Sequence, residues 1–416
     1  MTAGEDPGTV GEPAPAAERI VWRPASLGVL VIAVTILPAF LTGALGVQIG
    51  DELGIDLAGI GGLYGVLFGT SAVFSAPAGR FVQHRGWEAG IRIAAGGTGV
   101  ALAVLAILPS RWWAAWWPVA LIFVGAGVTA AISQTGSNLA LAVSVPPSRY
   151  GLAFGFKHTA VPVAAMLGGL AVPTIALTVG WRWAYAAAAG FAFATALAVP
   201  ARHGPPPPPR KTRALSRPTA TPTRTLVALA GAAMLSHTGL DAMGAFVVPF
   251  AVSVGVAEGS AGILLTIGSL AGLTMRLVSG WLVDRRQHTG LPWMAALLAA
   301  GSLGFLVLAI GGRPLLVAGV ILAFAGAWGW AGLLTFVVVR ANPGAPAAAT
   351  GIANTGKYIG AAAGPALLGY LAERVSFSAA WGVACGLLAL SAVIVTVIRL
   401  TPSGIAMADP PAPGAA

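Results

Sequence analysis

Polar and charged positions along the chain are sparse and fall in short clusters that separate long apolar runs. The runs cover residues 26–47, 57–78, 90–109, 117–143, 151–177, 182–200, 225–250, 259–283, 291–311, 315–338, 349–372 and 378–399, twelve in all. About 20 residues of helix cross the hydrocarbon core of a bilayer, and shorter apolar runs usually belong to buried helices of soluble domains. The pattern predicts an all-α integral membrane protein with twelve transmembrane helices. The first 25 residues hold Glu5, Asp6, Glu12 and Glu18 with no basic leader, and the first apolar run exceeds the core of a signal peptide, so no cleaved signal is expected.

Composition agrees. Of the 416 residues 57% are hydrophobic and 9% charged, against about 25% charged in soluble chains. The net charge of +10, from 23 Lys and Arg against 13 Asp and Glu, would raise nucleic acid as a partner in a soluble chain. Here the lipid bilayer accounts for it, and no nucleic-acid partner is expected. Basic residues are retained on the cytoplasmic side during insertion. With both termini inside, seventeen of the 23 fall in cytoplasmic loops or adjoining helix ends. Only Arg111, Arg182, Arg313 and Arg374 lie outside, and Lys157 and Lys357 fall within helices. The expected location is the cell (cytoplasmic) membrane, multi-pass, both ends cytoplasmic. Residues 201–224 contain Pro205 to Pro209 and a basic run, which favours extended solvated chain. The expected organisation is a disordered N-tail over 1–25, a six-helix bundle over 26–200, a cytoplasmic linker over 201–224, a second bundle over 225–399 and a disordered C-tail over 400–416. The linker's basic run reads as a solvated positive-inside loop or as a contact for anionic lipid.

The halves repeat each other. Gly79-Arg80-Phe81-Val82-Gln83-His84-Arg85-Gly86 follows the second run, and 201 positions later Gly280-Trp281-Leu282-Val283-Asp284-Arg285-Arg286-Gln287 follows the eighth. Gly155 to Gly169 matches Gly351 to Pro365 at an offset of 196, pairing His158 with Asn354 and Gly168 with Gly364. Two copies of one topology point to parallel repeats about an axis along the membrane normal. Together with the long central loop, these features resemble the major facilitator superfamily over about residues 26–399. The resemblance implies that the Asp of the loop motif faces a helix N-terminus of the other half, where the dipole favours a carboxylate, and holds the outward-open state. Gly79, Arg85, Gly86, Arg276, Gly280, Asp284, Arg285 and Arg340 are the implied gating residues, with Asp284 expected to pair with Arg340 or Arg276. The first copy carries Gln83 and His84 in the Asp and basic places, and the second carries Gln287 for the closing Gly.

Gly351-Ile352-Ala353-Asn354-Thr355-Gly356-Lys357 has the spacing of a phosphate-binding loop up to its lysine, but Tyr358 replaces the Ser or Thr and no βα unit surrounds it. Nucleotide binding is therefore not expected. Gly356, Gly360 and Gly364 instead form a small-residue stripe at four-residue spacing, which lets membrane helices approach closely. A single cysteine, Cys385, allows neither an internal disulfide nor a Cys-rich metal site. No H-E-x-x-H or G-x-S-x-G motif occurs. The chain reads as no enzyme, with no cofactor and no metal.

The informative residues are polar ones at membrane depth, where a centred charge costs about 2.5 to 3.5 kcal/mol. His237 and Asp241 are four apart on the seventh helix, hence on one face. They are suited either to carry a proton or to fix packing as a hydrogen-bonded pair. The resemblance places that helix at a central cavity, and the fifth and eleventh helices at the interface between halves. Lys157 and His158 on the fifth, with Lys357, Tyr358 and Asn354 on the eleventh, would suit an anionic substrate, although Lys157 could also snorkel. Ser133, Gln134, Ser137 and Asn138 on the fourth read as substrate hydrogen bonding or as interhelical glue.

The expected function is secondary transport of a small organic, anionic solute by alternating access, coupled to protons, by a monomer. The alternative is a proton-driven drug or metabolite efflux antiporter. The family's drug antiporters carry Gly-x-x-x-Gly-Pro-x-x-Gly-Gly on the fifth helix, whereas this fifth helix has Pro162 and Gly168-Gly169 without Gly-Pro, and Gly360 to Gly369 comes closer. The segment Phe156-Lys157-His158 resembles that of cyanate-transporter-like anion carriers. A non-transporting membrane sensor is a third reading, opposed by the lack of an attached soluble signalling domain.

Overall fold

A computed structural model of the chain describes residues 22–144, 150–200, 221–286, 290–342 and 345–401. The expected linker and tails fall mostly outside these residues, although the first helix already begins at Trp22.

Every described element is helical. The first half holds α1 (Trp22–Ala44), α2 (Gly46–Leu53), α3 (Leu57–Arg85), α4 (Trp87–Ile107), α5 (Ser110–Ala114), α6 (Trp117–Ser144), α7 (Tyr150–His158), α8 (Ala160–Ala171), a π-turn (Val172–Ala176), α9 (Leu177–Val179) and α10 (Trp181–Ala198). The second holds α11 (Thr223–Ser253), α12 (Glu258–Arg286), α13 (Leu291–Ile310), α14 (Gly312–Gly329), α15 (Ala331–Ala341), α16 (Pro346–Arg374) and α17 (Phe377–Leu400).

Ten helical stretches are long and apolar enough to cross a membrane among the described residues. Against the twelve expected runs, α10 and α16 fall short of that apolarity: α10 opens on Trp181-Arg182-Trp183, and α16 carries Lys357 among glycines. Two apolar runs are not single helices. The 151–177 run breaks at Thr159 and again at the π-turn, which begins at Pro173 minus one, where proline removes a ladder donor. The 315–338 run breaks at Trp330. Between the first two apolar runs lies the short helix α2.

Local chemistry sets the ends. Asp56 caps α3, its Oδ1 accepting from the Gly59 N–H at 2.7 Å, and Ser376 caps α17 by accepting from Ala379 at 3.1 Å. Gly86 turns the chain between α3 and α4 at φ 87°, and Gly290 turns it after α12 at φ 77°. Both conformations favour glycine, so the second loop motif, which lacks the closing Gly, meets the same requirement three residues later.

In the first half α3 packs on α4 and α6, and α1 on α6 and α8. In the second α11 packs on α16 and α17, and α13 on α14 and α17. The halves meet where α3 lies on α16, α8 and α7 on α12, α7 on α15, and α1 on α11. Helix α1 is almost wholly buried and α11 is buried from Ser236 to Ala251, whereas outward-facing side chains such as Val73, Ile107, Leu197 and Ile310 are exposed. Such an apolar periphery is what a lipid solvent permits.

Candidate functional site

Nine helices leave a cavity of about 40 Å³ at the centre, room for only a few waters by the measure that one water occupies about 10–15 Å³. Its polar wall is formed by Ser71 of α3, Gln134 of α6, His158 of α7, His237 and Asp241 of α11, Arg276 of α12, and Lys357 and Tyr358 of α16. Apolar groups such as Ile36, Phe68 and Leu240 fill the rest.

On α11 the i, i+4 spacing places His237 Nδ1 3.0 Å from Asp241 Oδ2, both side chains buried. The imidazole stands edge-on to Trp330, with ring centroids 5.5 Å apart. Trp328, on the preceding turn, donates its indole N–H to the carbonyl of Leu240 at 3.1 Å, tying α14 to α11 beside the carboxylate.

Arg276 is 2% exposed and lines this cavity, not the loop four residues further on with which sequence reading grouped it. Its Nε donates to the Trp328 carbonyl at 2.6 Å and its Nη1 to the His158 carbonyl. The helix explains the difference: α12 runs on to Arg286, which puts Arg276 about 15 Å of helical rise from the basic end. Lys357 sits at a similar depth, its Nζ 5.8 Å from the Tyr358 ring centroid.

Other candidates are placed elsewhere. Lys157 is buried, but its Nζ donates to Asn138 Oδ1 at 2.5 Å and it is not part of the cavity wall. Asn354 is half-buried outside that wall. The polar cluster on α6 divides: Gln134 faces the cavity, while Ser133 bonds Thr35 of α1 at 2.8 Å and acts between helices. Among the gating candidates, Gly280 packs beside Gly155 of α7 and Gly79 close to Thr135. Arg85, Arg285 and Arg340 stand over the rings of Phe81, Trp281 and Phe336 at 6.0, 5.2 and 5.8 Å, and Asp284 is half-buried.

At the opposite end the halves are joined by Glu373 Oε2 of α16, which accepts from the Leu57 N–H at 3.2 Å. Glu52 of α2 accepts from Trp181 Nε1 at 2.6 Å and lies 3.5 Å from Arg182. Ser110 also donates to Glu52 Oε1 at 3.3 Å, so the carboxylate gathers partners 58 to 130 positions away.

The family model of the Major Facilitator Superfamily matches residues 27–312 and 229–415. The chain belongs to this superfamily. Among curated proteins it is 27% identical over 296 residues to an uncharacterized MFS-type transporter of Mycobacterium tuberculosis strain H37Rv, and 28% identical over 300 residues to one of strain CDC 1551. Each match covers 70% of this chain and 66% of the relative, so the chain spans just under two thirds of their length. Solved structures share the fold over most of the chain. A crystal structure of a D-xylose-proton symporter superposes with a TM-score of 0.66 at 15% identity, covering 89% of this chain and 95% of that one. A bacterial homolog of the human lysosomal transporter Spinster, inward-facing and unoccupied, gives 0.64 at 14% identity, covering 90% and 94%. Membership agrees with a multi-pass membrane protein and with the ten membrane-length helical stretches among the described residues.

Proposed function

We propose that this transporter moves a small organic anion across the cytoplasmic membrane by alternating access, with Asp241 and His237 coupling the cycle to protons. The observation that carries the reading is the charge of the cavity wall: Arg276 and Lys357 supply two cations, and Asp241 one carboxylate. A substrate with a carboxylate or similar group balances the excess, and in a dry site such pairing is strong. Protonation of Asp241 would change that balance by one charge, which is how proton and anion binding become linked.

In this reading twelve crossings form two six-helix bundles, residues 26–200 and 225–399, joined by a cytoplasmic linker, with both termini cytoplasmic. α10 and α16 complete the twelve because each lies along neighbouring crossings, α10 on α4 and α16 on α11 and α3. The halves are in contact on both sides of the cavity, where α7 packs on α12 and α15 toward the Arg-rich end and where α3 packs on α16 toward the other.

A thermal-shift screen of the purified protein against carboxylates, inorganic anions and cationic drugs tests the substrate class, since a ligand of the native state raises its stability. Stabilisation by carboxylates supports the proposal. Stabilisation by cationic drugs alone would replace it with proton-driven efflux.

A further inference from the structure

Pro162 lies four residues beyond His158 and has no N–H, so the His158 carbonyl loses the donor that a continuous helix would give it. The chain interrupts its helix there, at Thr159 between α7 and α8. In the second half α14 and α15 are interrupted at Trp330, between the Trp328 carbonyl and Gly332, the residue that would otherwise donate to it. Buried carbonyls need donors, and one side chain supplies both. The Arg276 guanidinium donates through Nη1 to His158 and through Nε to Trp328 at 2.6 Å, and stands 5.5 Å from the Trp328 ring centroid. His158 belongs to the first repeat and Trp328 to the second, so the contact crosses between halves. It does so where α7 packs on α12 and α15. Backbones are close at this point: a Cβ on Gly155 would lie 3.0 Å from the Arg276 carbonyl.

We propose that Arg276 is a strap that holds the cytoplasmic gate shut, and that an anion in the cavity releases it. The release step rests on the anion reading above; the strap itself does not. A guanidinium has five N–H groups, so those not used on the carbonyls are available to the cavity that Arg276 lines. An anion there makes charge-assisted, bidentate bonds, stronger than bonds to neutral carbonyls. It reorients the fork and withdraws the donor from His158, whose carbonyl then requires water, so release and opening proceed together. A neutral solute of the same shape exerts no such pull. The anion thereby binds the open-gate state better than the strapped one, which is the differential affinity needed to shift a conformational equilibrium.

Ser279, three residues from Arg276 on α12, is 1% exposed and lines a narrow void behind this gate. In a Cys385→Ala background, Ser279→Cys reports opening through its alkylation by an impermeant maleimide in inside-out vesicles. The probes are acetate and malonate, with acetamide and malonamide as neutral counterparts. Without ligand, Arg276→Gln is expected to raise the alkylation rate about tenfold or more, since two bonds from a charged group are lost. Arg276→Lys keeps the charge without the planar fork and is expected to raise the ligand-free rate as well, while malonate still shifts its thermal stability. If the Gln variant does not reach the membrane, the Lys variant carries the comparison. With Arg276 present, the carboxylates accelerate labelling and the amides do not. Unchanged ligand-free rates in the Arg276 variants overturn the strap. Raised ligand-free rates without acceleration by either carboxylate, or with equal acceleration by the amides, uphold the strap and overturn release by anions together with the substrate reading.

Discussion

His237 Nδ1 lies 3.0 Å from Asp241 Oδ2 one turn along α11, and both side chains face the central cavity. Each ring nitrogen and carboxylate oxygen in such a pair is positioned to pass or hold a proton, and the cations sharing the wall, Arg276 and Lys357, make the carboxylate's charge matter to any anion entering.

Asp241→Asn should therefore abolish pH-driven accumulation in proteoliposomes while sparing counterflow. Exchange between substrate pools needs no net proton movement, whereas uphill transport does. Accumulation against a gradient at wild-type rates in this variant would falsify proton coupling through Asp241 and leave the pair a packing element.

The two lysines within the helices should separate. Lys357 lines the cavity, whereas Lys157 is engaged with Asn138 at 2.5 Å outside its wall. Lys357→Gln is expected to weaken carboxylate binding about tenfold to a hundredfold, as for the loss of a bond to a charged group worth about 1.5 to 3 kcal/mol, with little effect on neutral analogues. Lys157→Gln is expected to leave affinity nearly unchanged and to lower thermal stability. Titrations of both variants by calorimetry check this, and equal losses of affinity would count against the assignment.

The contrast between these lysines marks what the sequence discloses. His237 and Asp241 were readable because their relation is local, set by the helical repeat. The repeat itself was readable because two loops share a motif. Lys157 was left between anion binding and snorkelling because its partner Asn138 sits on another helix, and neither reading included that bond. Arg276 was counted with the cytoplasmic helix ends because it lies within about two turns of the predicted end at 283, and its partners Trp328 and His158 sit on other helices. Pro162 was weighed only against an antiporter motif, and the donor to the carbonyl that it orphans comes from 118 positions away. The breaks at Thr159 and Trp330 were likewise hidden inside uninterrupted apolar runs.

Topology offers an independent check. A cysteine at position 210, in a Cys385→Ala background, should react with impermeant maleimide in inside-out vesicles and be protected in right-side-out cells. Labelling from outside would invert the orientation and reassign the strap to the external gate.

Along α16, three glycines in register meet backbone carbonyls of α11: a Cβ at Gly356 would overlap the carbonyl of Ala230, at Gly360 that of Met234, and at Gly364 that of Thr238. The register holds Lys357 and Tyr358 against the face that carries His237 and Asp241. Gly351, on the same helix, has open space where its Cβ would be. One substitution should thus act with opposite signs along one helix. Gly360→Ala forces two backbones apart and is expected to cost about 1 to 3 kcal/mol, the usual penalty of overpacking. Gly351→Ala meets nothing and is expected to be neutral or to stabilise by up to about 1 kcal/mol through helix propensity. Thermal unfolding of the two variants in the same detergent measures the difference. Because separation of α16 from α11 also draws Lys357 away from Asp241, Gly360→Ala should weaken carboxylate binding, whereas Gly351→Ala should not. Equal stabilities for the two variants would mean that α16 and α11 are not in close contact in the folded protein.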